Sequence, residues 1–436
     1  MKTLWIISGG HEAVPGIARA KEMGLYVVVS DGSETAPGLK LADERVIVST
    51  YDVEQTVREA LRYHRQVRKI HGVLSMAADV PLTVASVAKE LGLPGIPMES
   101  ARLSMDKAAM KDRFASEGIP IPWYSSVNSA RELEEIAKIE KKPLVVKPVD
   151  SRGARGVTRL TRRENAAWAF EEARRNSPTS RVMVEEFLEG PQVSTESVLM
   201  GGIGYTPGFG ERNYEMLQRF SPYLIENGGQ QPSALWAVEV AAIKNLAERA
   251  GIAMGIETGI VKGDMVLTAD GPKVIEMAAR LSGGWFSTDQ IPTATGVDLI
   301  GAAIRLALGE EVDGAQLVPR FSKGVAIRYF WPKPGRVVAI RNAERVRELP
   351  WVHRLGLFVA PGDEVEAVTD HTKRAGFVIT TGRNRLQAVE RAERAVREVE
   401  IETVPGWPAD AGVGVSAPGS GTKDSRSSAP SISAAH

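Results

Sequence analysis

The sequence predicts a multidomain protein of mixed α/β and α+β class. Three observations lead to this prediction: the 436-residue length, the alternation of strands and helices up to residue 95, and the change to strand, loop, strand, helix, strand near residue 143. Alternating strands and helices are typical of a parallel sheet, whereas the second order is typical of α+β modules. We therefore expect a Rossmann-like N-terminal domain followed by α+β domains.

The first 95 residues alternate short apolar runs with helical patterns. We expect strands at 4–7, 26–29, 45–48 and 72–75, and helices at 14–23, 53–64 and 81–91. The loop Ser8-Gly9-Gly10 after the first strand lacks the three-glycine spacing of a dinucleotide site. We therefore expect this loop to meet part of a substrate instead.

Glycine and proline mark the first domain boundary, at Gly92-Leu93-Pro94-Gly95-Ile96-Pro97. The following 96–190 and 191–323 are predicted to form a smaller and a larger α+β unit, and 324–405 a C-terminal α+β unit. The last stretch, 406–436, is mostly Gly, Ser, Ala and Pro, which is typical of a disordered tail.

Composition and charge exclude several classes of function. Lys+Arg and Asp+Glu both number 54, so no overall basic excess favours nucleic acid as a partner. No run approaches the roughly 18 apolar residues of a membrane span, and the start lacks a signal-peptide core, so we expect no membrane partner and a cytoplasmic location. The absence of cysteine excludes disulfides, thiolate metal sites and cysteine nucleophiles.

The most informative stretch is a predicted hairpin around an Asp-Gly pair at 270–271. Alternating runs at 263–267 and 272–280 flank this pair, which is a strong hairpin signal. A turn centred on its aspartate places Asp264 directly opposite Glu276. Facing carboxylates destabilise a sheet unless cations lie between them, and a magnesium nucleotide would supply those cations. The alternative is that both acids simply face solvent.

A second feature is a polar loop after a lysine that ends an apolar strand. Lys147 ends the run 143–148, and the loop then supplies Ser151, Arg152, Gly153, Arg155 and Gly156. Glycines allow backbone N–H groups to face a polyphosphate, while hydroxyl and guanidinium groups add donors. The pattern is not a Walker loop, because no Gly-Lys-Ser/Thr leads into a helix. We interpret it as a phosphate-binding loop, with a plain flexible hairpin as the alternative.

Further candidates flank these two features. Lys107 lies in the first turn of a predicted helix at 106–117, where a solvated surface charge is the alternative. The segment Glu185-Glu186-Phe187-Leu188 follows an apolar strand and can offer backbone groups to an adenine and a carboxylate to a ribose. Glu196, on the next strand, either faces the same cleft or lies at the surface.

Arg280 follows the second hairpin carboxylate by four residues. A planar, permanently charged guanidinium at this place suits an anionic substrate or a developing acyl phosphate. The next residues, Ser282-Gly283-Gly284, allow close backbone approach. Two polar, glycine-rich stretches at 208–214 and 223–229 are candidate substrate loops.

The order of these residues resembles that of the ATP-grasp superfamily. Lys107, Lys147 with its loop, the segment 185–188, and finally Asp264, Glu276 and Arg280 follow one another as they do in that superfamily. Within it, Ile275-Glu276-Met277-Ala278-Ala279-Arg280 with the following Gly-Gly-Trp, and Arg374-Ala375-Gly376-Phe377-Val378 with Thr381-Gly382, resemble L-amino acid ligases of the carboxylate–amine type. The resemblance spans about residues 1–403.

The resemblance implies an ATP-grasp fold with ATP held between the small subdomain 96–190 and the large subdomain 191–323. Lys107 and Lys147 would contact the phosphates, with Ser151, Arg152, Gly153 and Gly156 in the loop beside them. The segment 185–188, with Glu196, would hold adenine and ribose, and Asp264 and Glu276 would hold one or two Mg²⁺. Many family members have an asparagine where this chain has Ala278, which leaves the second ion open.

We therefore expect an ATP-dependent ligase that forms an amide through an acyl phosphate, from a small-molecule carboxylate and amine of amino acid-like character. The expected catalytic residues are Arg280 and Lys147, and the expected substrate residues are Arg280, Gly283, Gly284, Trp285 and Arg328. Two alternatives stay open: carboxyphosphate chemistry, as in biotin carboxylases and carbamoyl-phosphate synthetases, and nucleotide binding without turnover. A homodimer is also left open.

Overall fold

The computed structural model describes residues 1–161 and 165–405, so the tail predicted at 406–436 lies outside the described residues. Within these residues the strands form four sheets. No helix of the described part of the chain combines the length and the apolar content that crossing a membrane requires. The predicted mixed α/β and α+β class is confirmed.

The N-terminal unit is a parallel sheet with helices packed against it, as the alternating pattern predicted. Its elements are β1 (Thr3–Ile7), α1 (Val14–Glu22), β2 (Tyr26–Asp31), β3 (Glu44–Ile47), α2 (Val53–Gln66), β4 (Gly72–Ser75) and α3 (Pro81–Leu91). The strand order is β3-β2-β1-β4, and all neighbours run parallel. The fully buried β1 brings the loops after β1 and β4 to one edge of the sheet.

A four-stranded antiparallel sheet follows. Its strands and nearby helices are α4 (Met98–Leu103), α5 (Lys107–Ser116), β5 (Tyr124–Val127), α6 (Ala130–Ile139), β6 (Leu144–Pro148), β7 (Thr158–Leu160), α7 (Ala166–Arg175) and β8 (Val182–Glu186). The strand order is β5-β8-β6-β7, with α6 and α7 packed on the apolar side of the sheet. Asp106 caps α5 by accepting a hydrogen bond from the Ala109 N–H, so Lys107 begins the helix.

The remaining chain builds an eight-stranded antiparallel sheet and a small three-stranded one. Its elements are β9 (Gln192–Met200), β10 (Ile203–Arg212), β11 (Gly229–Gln231), α8 (Ala237–Ala253), β12 (Gly259–Thr268), β13 (Gly271–Ala278), α9 (Ile291–Thr295), α10 (Leu299–Ala307), β14 (Gly324–Tyr329), β15 (Gly335–Arg341), α11 (Ala343–Arg347), β16 (Val352–Leu357), β17 (Glu364–Val365), β18 (Gly376–Gly382), α12 (Arg385–Glu398) and β19 (Glu400–Val404). The orders are β13-β12-β9-β10-β11-β14-β18-β16 and β17-β15-β19. Strands β14, β16 and β18 come from the predicted C-terminal unit 324–405 but belong to the same sheet as the strands of 191–323. The large sheet therefore does not end at the boundary predicted at residue 324.

The β12–β13 hairpin places Asp264 directly opposite Glu276, as predicted, but for a different reason. Thr268 pairs with Gly271, so the turn lies between these two residues and is not centred on Asp270. A regular ladder from this turn would set Asp264 against Ile275 and turn Glu276 to the other face. A bulge at Ile275 shifts the register by one residue and brings the two carboxylates onto the same face.

Gly190 joins the predicted nucleotide segment to β9 at a point of close backbone approach. Its φ is +134°, and a Cβ there would lie 2.0 Å from the Leu267 carbonyl oxygen at the end of β12. We predict that Gly190→Ala destabilises the protein by more than about 2 kcal/mol, because it adds a steric clash to backbone strain. Urea denaturation followed by circular dichroism measures the shift in midpoint.

The matched control is Gly24→Ala. Gly24 also has a positive φ, +75°, but nothing lies within 4 Å of the added methyl group. Its cost is therefore backbone strain alone, about 1 kcal/mol. Equal midpoint shifts for the two variants would contradict the close contact between Gly190 and β12.

Candidate active site

A cavity of about 410 Å³ lies where the lid, which comprises the four-stranded sheet β5–β8 and helix α5, meets the eight-stranded sheet and the N-terminal loops. Most of the predicted site residues line it: Lys107, Lys147, Ser151, Arg152, Gly153, Glu185, Glu186, Phe187, Leu188, Asp264, Glu276, Arg280, Gly283 and Gly284. Parts of both stretches predicted as substrate loops, 208–214 and 223–229, line it too, although Gly208 to Arg212 belong to strand β10.

A buried ion-pair cluster lies on the lid side of the cavity. The Glu185 carboxylate lies 2.5 Å from Lys147 Nζ and 2.9 Å from Lys111 Nζ, and all three side chains are at most 4% exposed. Burial opposes ionisation of Glu185, yet the two lysines hold the pKa of its carboxyl below the usual value. Burial lowers the pKa of Lys111 to about 8, so this lysine is still mostly protonated at neutral pH.

Lys111 also connects this cluster to the hairpin. Its Nζ donates to the carbonyl oxygen of Ile275, the bulged residue of β13, at 3.1 Å. Lys107, one helical turn earlier, donates to the Ser151 carbonyl at 2.8 Å and lies 3.6 Å from Glu276. Helix α5 thus connects the polar loop after β6 with the carboxylates of the large sheet.

The two hairpin carboxylates are balanced by cations of the protein itself. Asp264 Oδ1 accepts from Ser194 Oγ at 2.9 Å and lies 3.0 Å from Arg212 Nη1, while Oδ2 contacts the Lys262 ammonium. Burial disfavours ionisation of Asp264, but Arg212 and Lys262 outweigh it and keep the pKa well below the usual value. The cations that we expected beside this pair are thus supplied in part by the protein itself.

Glu276 is held in its ionised form by similar forces. Burial raises the pKa of its carboxyl and the facing Asp264 adds repulsion, but Lys107 and Lys262 bring the net shift below the usual value. Both carboxylates are therefore charged at neutral pH, and both line the cavity.

The polar loop after β6 makes contacts beyond the lid sheet. The Arg152 guanidinium lies 4.5 Å from the centre of the Tyr51 ring in the N-terminal unit, and the Gly153 carbonyl accepts from the His371 N–H at 3.0 Å. This loop therefore covers the cavity from the lid side and contacts residues from both ends of the chain.

The N-terminal loops supply acids on the opposite side of the cavity. Asp79, after β4, pairs with Arg280, and the Glu12 carboxylate, after β1, accepts from the Gly284 N–H at 3.0 Å. Burial raises the pKa of the Glu12 carboxyl. Glu12 lines the cavity, whereas Ser8, Gly9 and Gly10, the loop that we expected to meet a substrate, are not among its lining residues.

Four predicted site residues do not line the cavity. Glu196 is fully buried and accepts from the Ser282 N–H and the Ser287 hydroxyl, so it anchors the loop after β13. Trp285 stacks on Phe377 at 3.6 Å between ring centres. Arg328 is buried and bonds to the Gly229 carbonyl and Gln230, which ties β14 to β11. Gly156 has a φ of +69° and packs against Asn176, which leaves it a role in loop shape.

Several cavity residues were missed from the sequence. Lys262 lines the cavity and could have been found, because it lies two residues before Asp264 on the same face of a strand. Lys111 does not line the cavity but pairs with Glu185, which does, and it lies four residues after Lys107 on the same helical face. Glu12, Asp79 and His371 reach the cavity only through the fold and carry no sequence signal. Arg212 and Glu226 lie in the two predicted substrate stretches, and Arg374 lies in the C-terminal motif, although none of the three was singled out as a site residue.

Three family models match successive parts of the chain. An ATP-grasp N-terminal domain matches residues 17–95, an ATP-grasp domain matches residues 104–284, and an L-amino acid ligase C-terminal domain 2 matches residues 328–404. The chain belongs to the ATP-grasp superfamily. The superfamily predicted from the order of the motifs is thereby confirmed.

Similar proteins support the same ATP-grasp fold. An uncharacterized protein of Sinorhizobium fredii is 28% identical over 84% of this chain and 75% of its own length. An L-amino acid ligase from Bacillus licheniformis matches with a TM-score of 0.79 and 22% identity, over 93% of this chain and 99% of that chain. The biotin carboxylase domain of the Hydrogenobacter thermophilus 2-oxoglutarate carboxylase, solved with MgADP, ADP and bicarbonate, matches with a TM-score of 0.71 and 19% identity, over 92% of this chain and 91% of that chain.

ATP-grasp enzymes use ATP and Mg²⁺, and the residues of this cavity fit such a ligand. Asp264 and Glu276 face each other on neighbouring strands and both line the cavity. Within the described residues no cluster of three or more Asp, Glu, His or Cys side chains offers a complete metal site. Mg²⁺ is commonly bound by one or two carboxylates together with phosphate oxygens and water, which agrees with this pair.

We predict that Glu185→Gln destabilises the protein strongly, because it leaves the Lys111 and Lys147 ammonium groups buried without their counter-charge. Removing one partner of a buried ion pair typically costs about 3–5 kcal/mol. Thermal and urea unfolding measure the loss. The matched control is the neighbouring Glu186→Gln: Glu186 pairs with Lys142, whose side chain is 69% exposed, so little change is expected. Comparable losses in the two variants would argue against the buried cluster.

Proposed function

We propose that the protein is an ATP-dependent ligase that joins a small carboxylic acid to an amine through an acyl phosphate, with amino acid-like substrates. The observation that carries this proposal is the opposition of two ionised carboxylates, Asp264 and Glu276, on the cavity face of the hairpin. The match of residues 328–404 to the L-amino acid ligase C-terminal domain supports the amino acid-like substrate class.

We assign the phosphates of ATP to the lid side of the cavity. Lys107 and Lys147 supply ammonium groups there, and Ser151, Arg152 and Gly153 supply further donors from the loop. Because Glu185 is buried and pairs with two lysines, we assign it to holding those lysines in place rather than to the ribose.

The segment 185–188 offers few free backbone donors for an adenine. The Glu186 and Phe187 N–H groups donate to the Trp123 and Pro143 carbonyls, each at 2.9 Å. We therefore assign the adenine-facing donor to the Leu188 N–H, and the ribose contact to Gln192, which lines the cavity at the start of β9.

The reaction then proceeds in two displacements. A substrate carboxylate oxygen attacks the γ-phosphorus of ATP, the bond from that phosphorus to the β–γ bridging oxygen breaks, and ADP leaves. The amine nitrogen next attacks the acyl carbon, the carbon–oxygen bond to phosphate breaks, and the amine loses a proton as the amide and phosphate are released. Mg²⁺, when bound, neutralises phosphate charge; Lys147 and Arg280 position the anionic groups and stabilise the charge that develops on them.

The substrate side of the cavity carries both signs of charge. Arg280, held by Asp79, and Arg374, whose guanidinium lies 3.6 Å from the centre of the Tyr329 ring, offer cationic groups to a carboxylate. Glu12 offers a half-buried carboxylate to an ammonium group. This combination suits a substrate that carries an amine and an acid, as an amino acid does.

A second candidate is nucleotide binding without turnover. Lys262 and Arg212 already neutralise Asp264, so this carboxylate is stabilised without a bound cation.

Phosphate release from ATP across a panel of amino acids, dipeptides and hydroxy acids separates the ligase from this second candidate. Turnover with an acid and an amine supports the ligase, and nucleotide binding without any phosphate release supports the second candidate. Bicarbonate-dependent hydrolysis without an amine would instead indicate carboxyphosphate chemistry.

We predict that Asp264→Asn and Glu276→Gln each lower substrate-dependent phosphate release by at least about 10²-fold, because each removes a charge beside the triphosphate. Circular dichroism is expected to show an unchanged fold. Asp270→Asn, in the exposed turn of the same hairpin, is the control and should keep full activity. Wild-type rates in both cavity variants would rule out this assignment.

We also predict that Arg280→Lys lowers kcat/KM for the carboxylate substrate by about 10²-fold or more, while the affinity for ATP changes little. A lysine cannot keep the contact to Asp79 and at the same time present a planar fork to the substrate. Arg131→Lys, on the outer surface of α6 with a side chain 88% exposed, is the control. Loss of ATP binding with an unchanged substrate KM would instead place Arg280 on the nucleotide.

A further inference from the structure

Lys262 lies on the cavity face of the hairpin, one step from the carboxylate pair. It is two residues before Asp264 on β12, so both side chains project from the same face of the strand. Its cross-strand partner on β13 is Ala278, just as Glu276 is the partner of Asp264. The four side chains therefore form a square: two acids at one pair, and a lysine opposite a methyl group at the next.

The ammonium of Lys262 is directed into this square. It contacts Oδ2 of Asp264, and its side chain is 15% exposed. The small side chain of Ala278 leaves room for it and supplies no ligand atom. On the other side, Arg212 Nη1 lies 3.0 Å from Asp264 Oδ1, so each carboxylate oxygen of Asp264 already faces a cation.

The protein already places several cations around the pair. Lys107 faces Glu276, Lys262 faces Asp264, and Arg212 is shared between Asp264 and a third acid, Glu226. A second divalent ion bound between Asp264 and Ala278 would have to displace or repel the Lys262 ammonium. Ala278 would give it no ligand atom, and the described residues hold no group of three or more His, Cys, Asp or Glu side chains placed for a metal ion.

We propose that the Lys262 ammonium takes the place of a second divalent cation, so that the site binds a single Mg²⁺ together with ATP. This inference rests on the proposed Mg-ATP site. Lys262 then provides a positive charge beside Asp264, and the carboxylates of Asp264 and Glu276 would hold the single ion, which would neutralise phosphate charge.

The inference explains why the carboxylate pair tolerates its own repulsion before any nucleotide arrives. Lys262 and Lys107 each act on Glu276 as well as on their nearer partners, and together they keep it ionised. The Lys262 ammonium is in place at any Mg²⁺ concentration. Activity is therefore expected to depend on the concentration of the Mg-ATP complex, with no further activation by free Mg²⁺.

The test counts metal ions with Mn²⁺ in place of Mg²⁺ and β,γ-imido-ATP in place of ATP. Electron paramagnetic resonance of free Mn²⁺ gives the number bound per chain, and calorimetry gives nucleotide binding independently. We expect one Mn²⁺ per chain for the wild type. We expect two for Lys262→Met/Ala278→Asn, which removes the ammonium and adds an amide oxygen on the same face.

The matched control is Lys138→Met, which removes an exposed lysine of α6 and should leave the count at one. Two ions in the wild type would overturn the inference, and so would a count that stays at one in a folded double variant. If the double variant does not fold, the wild-type count and Lys262→Met alone still decide between one ion and two. Absence of both Mn²⁺ and nucleotide from the wild type would overturn the proposed function itself.

Discussion

The site depends on one electrostatic constraint: two ionised carboxylates, Asp264 and Glu276, share one face of a hairpin inside a partly buried cavity. Repulsion between them is offset by Lys262 and Arg212 on one acid and by Lys107 on the other. A single bulge at Ile275 creates the pairing, and the bulged carbonyl is held by a buried lysine. Removing any part of this arrangement changes the charge that a triphosphate would meet.

The same constraint explains why the chain needs several units to build one cavity. The lid supplies Lys107 and Lys147, the large sheet supplies the carboxylates, and the N-terminal loops supply acids that face Arg280. The cluster of Glu185 with two lysines joins lid and hairpin in a region from which water is largely excluded, where an unpaired charge would be costly. ATP binding at this junction would therefore depend on the contacts that join the lid to the hairpin.

Local patterns predicted much of the fold and part of the site. Alternation and capping signals placed β1 to β4 and α5 within a few residues, and the facing of Asp264 and Glu276 was found although the turn was misplaced. The bulge was not predicted, and its Ile275 carbonyl accepts from Lys111 of helix α5, which is distant in sequence. Glu196 and Arg328 were misassigned for a similar reason: a charged residue on a strand looks the same in sequence whether it faces a ligand or, as here, a buried loop or a neighbouring strand.

The central claim is that this face of the hairpin transfers the γ-phosphoryl group of ATP to a substrate carboxylate. The most direct measurement uses an amino acid substrate labelled with ¹⁸O in its carboxylate, followed by mass spectrometry of the products. The account predicts ADP, an amide, and phosphate that carries one ¹⁸O atom from the acid, because the carboxylate oxygen stays bound to phosphorus when the amine displaces it. Unlabelled phosphate, or label in AMP, would contradict it.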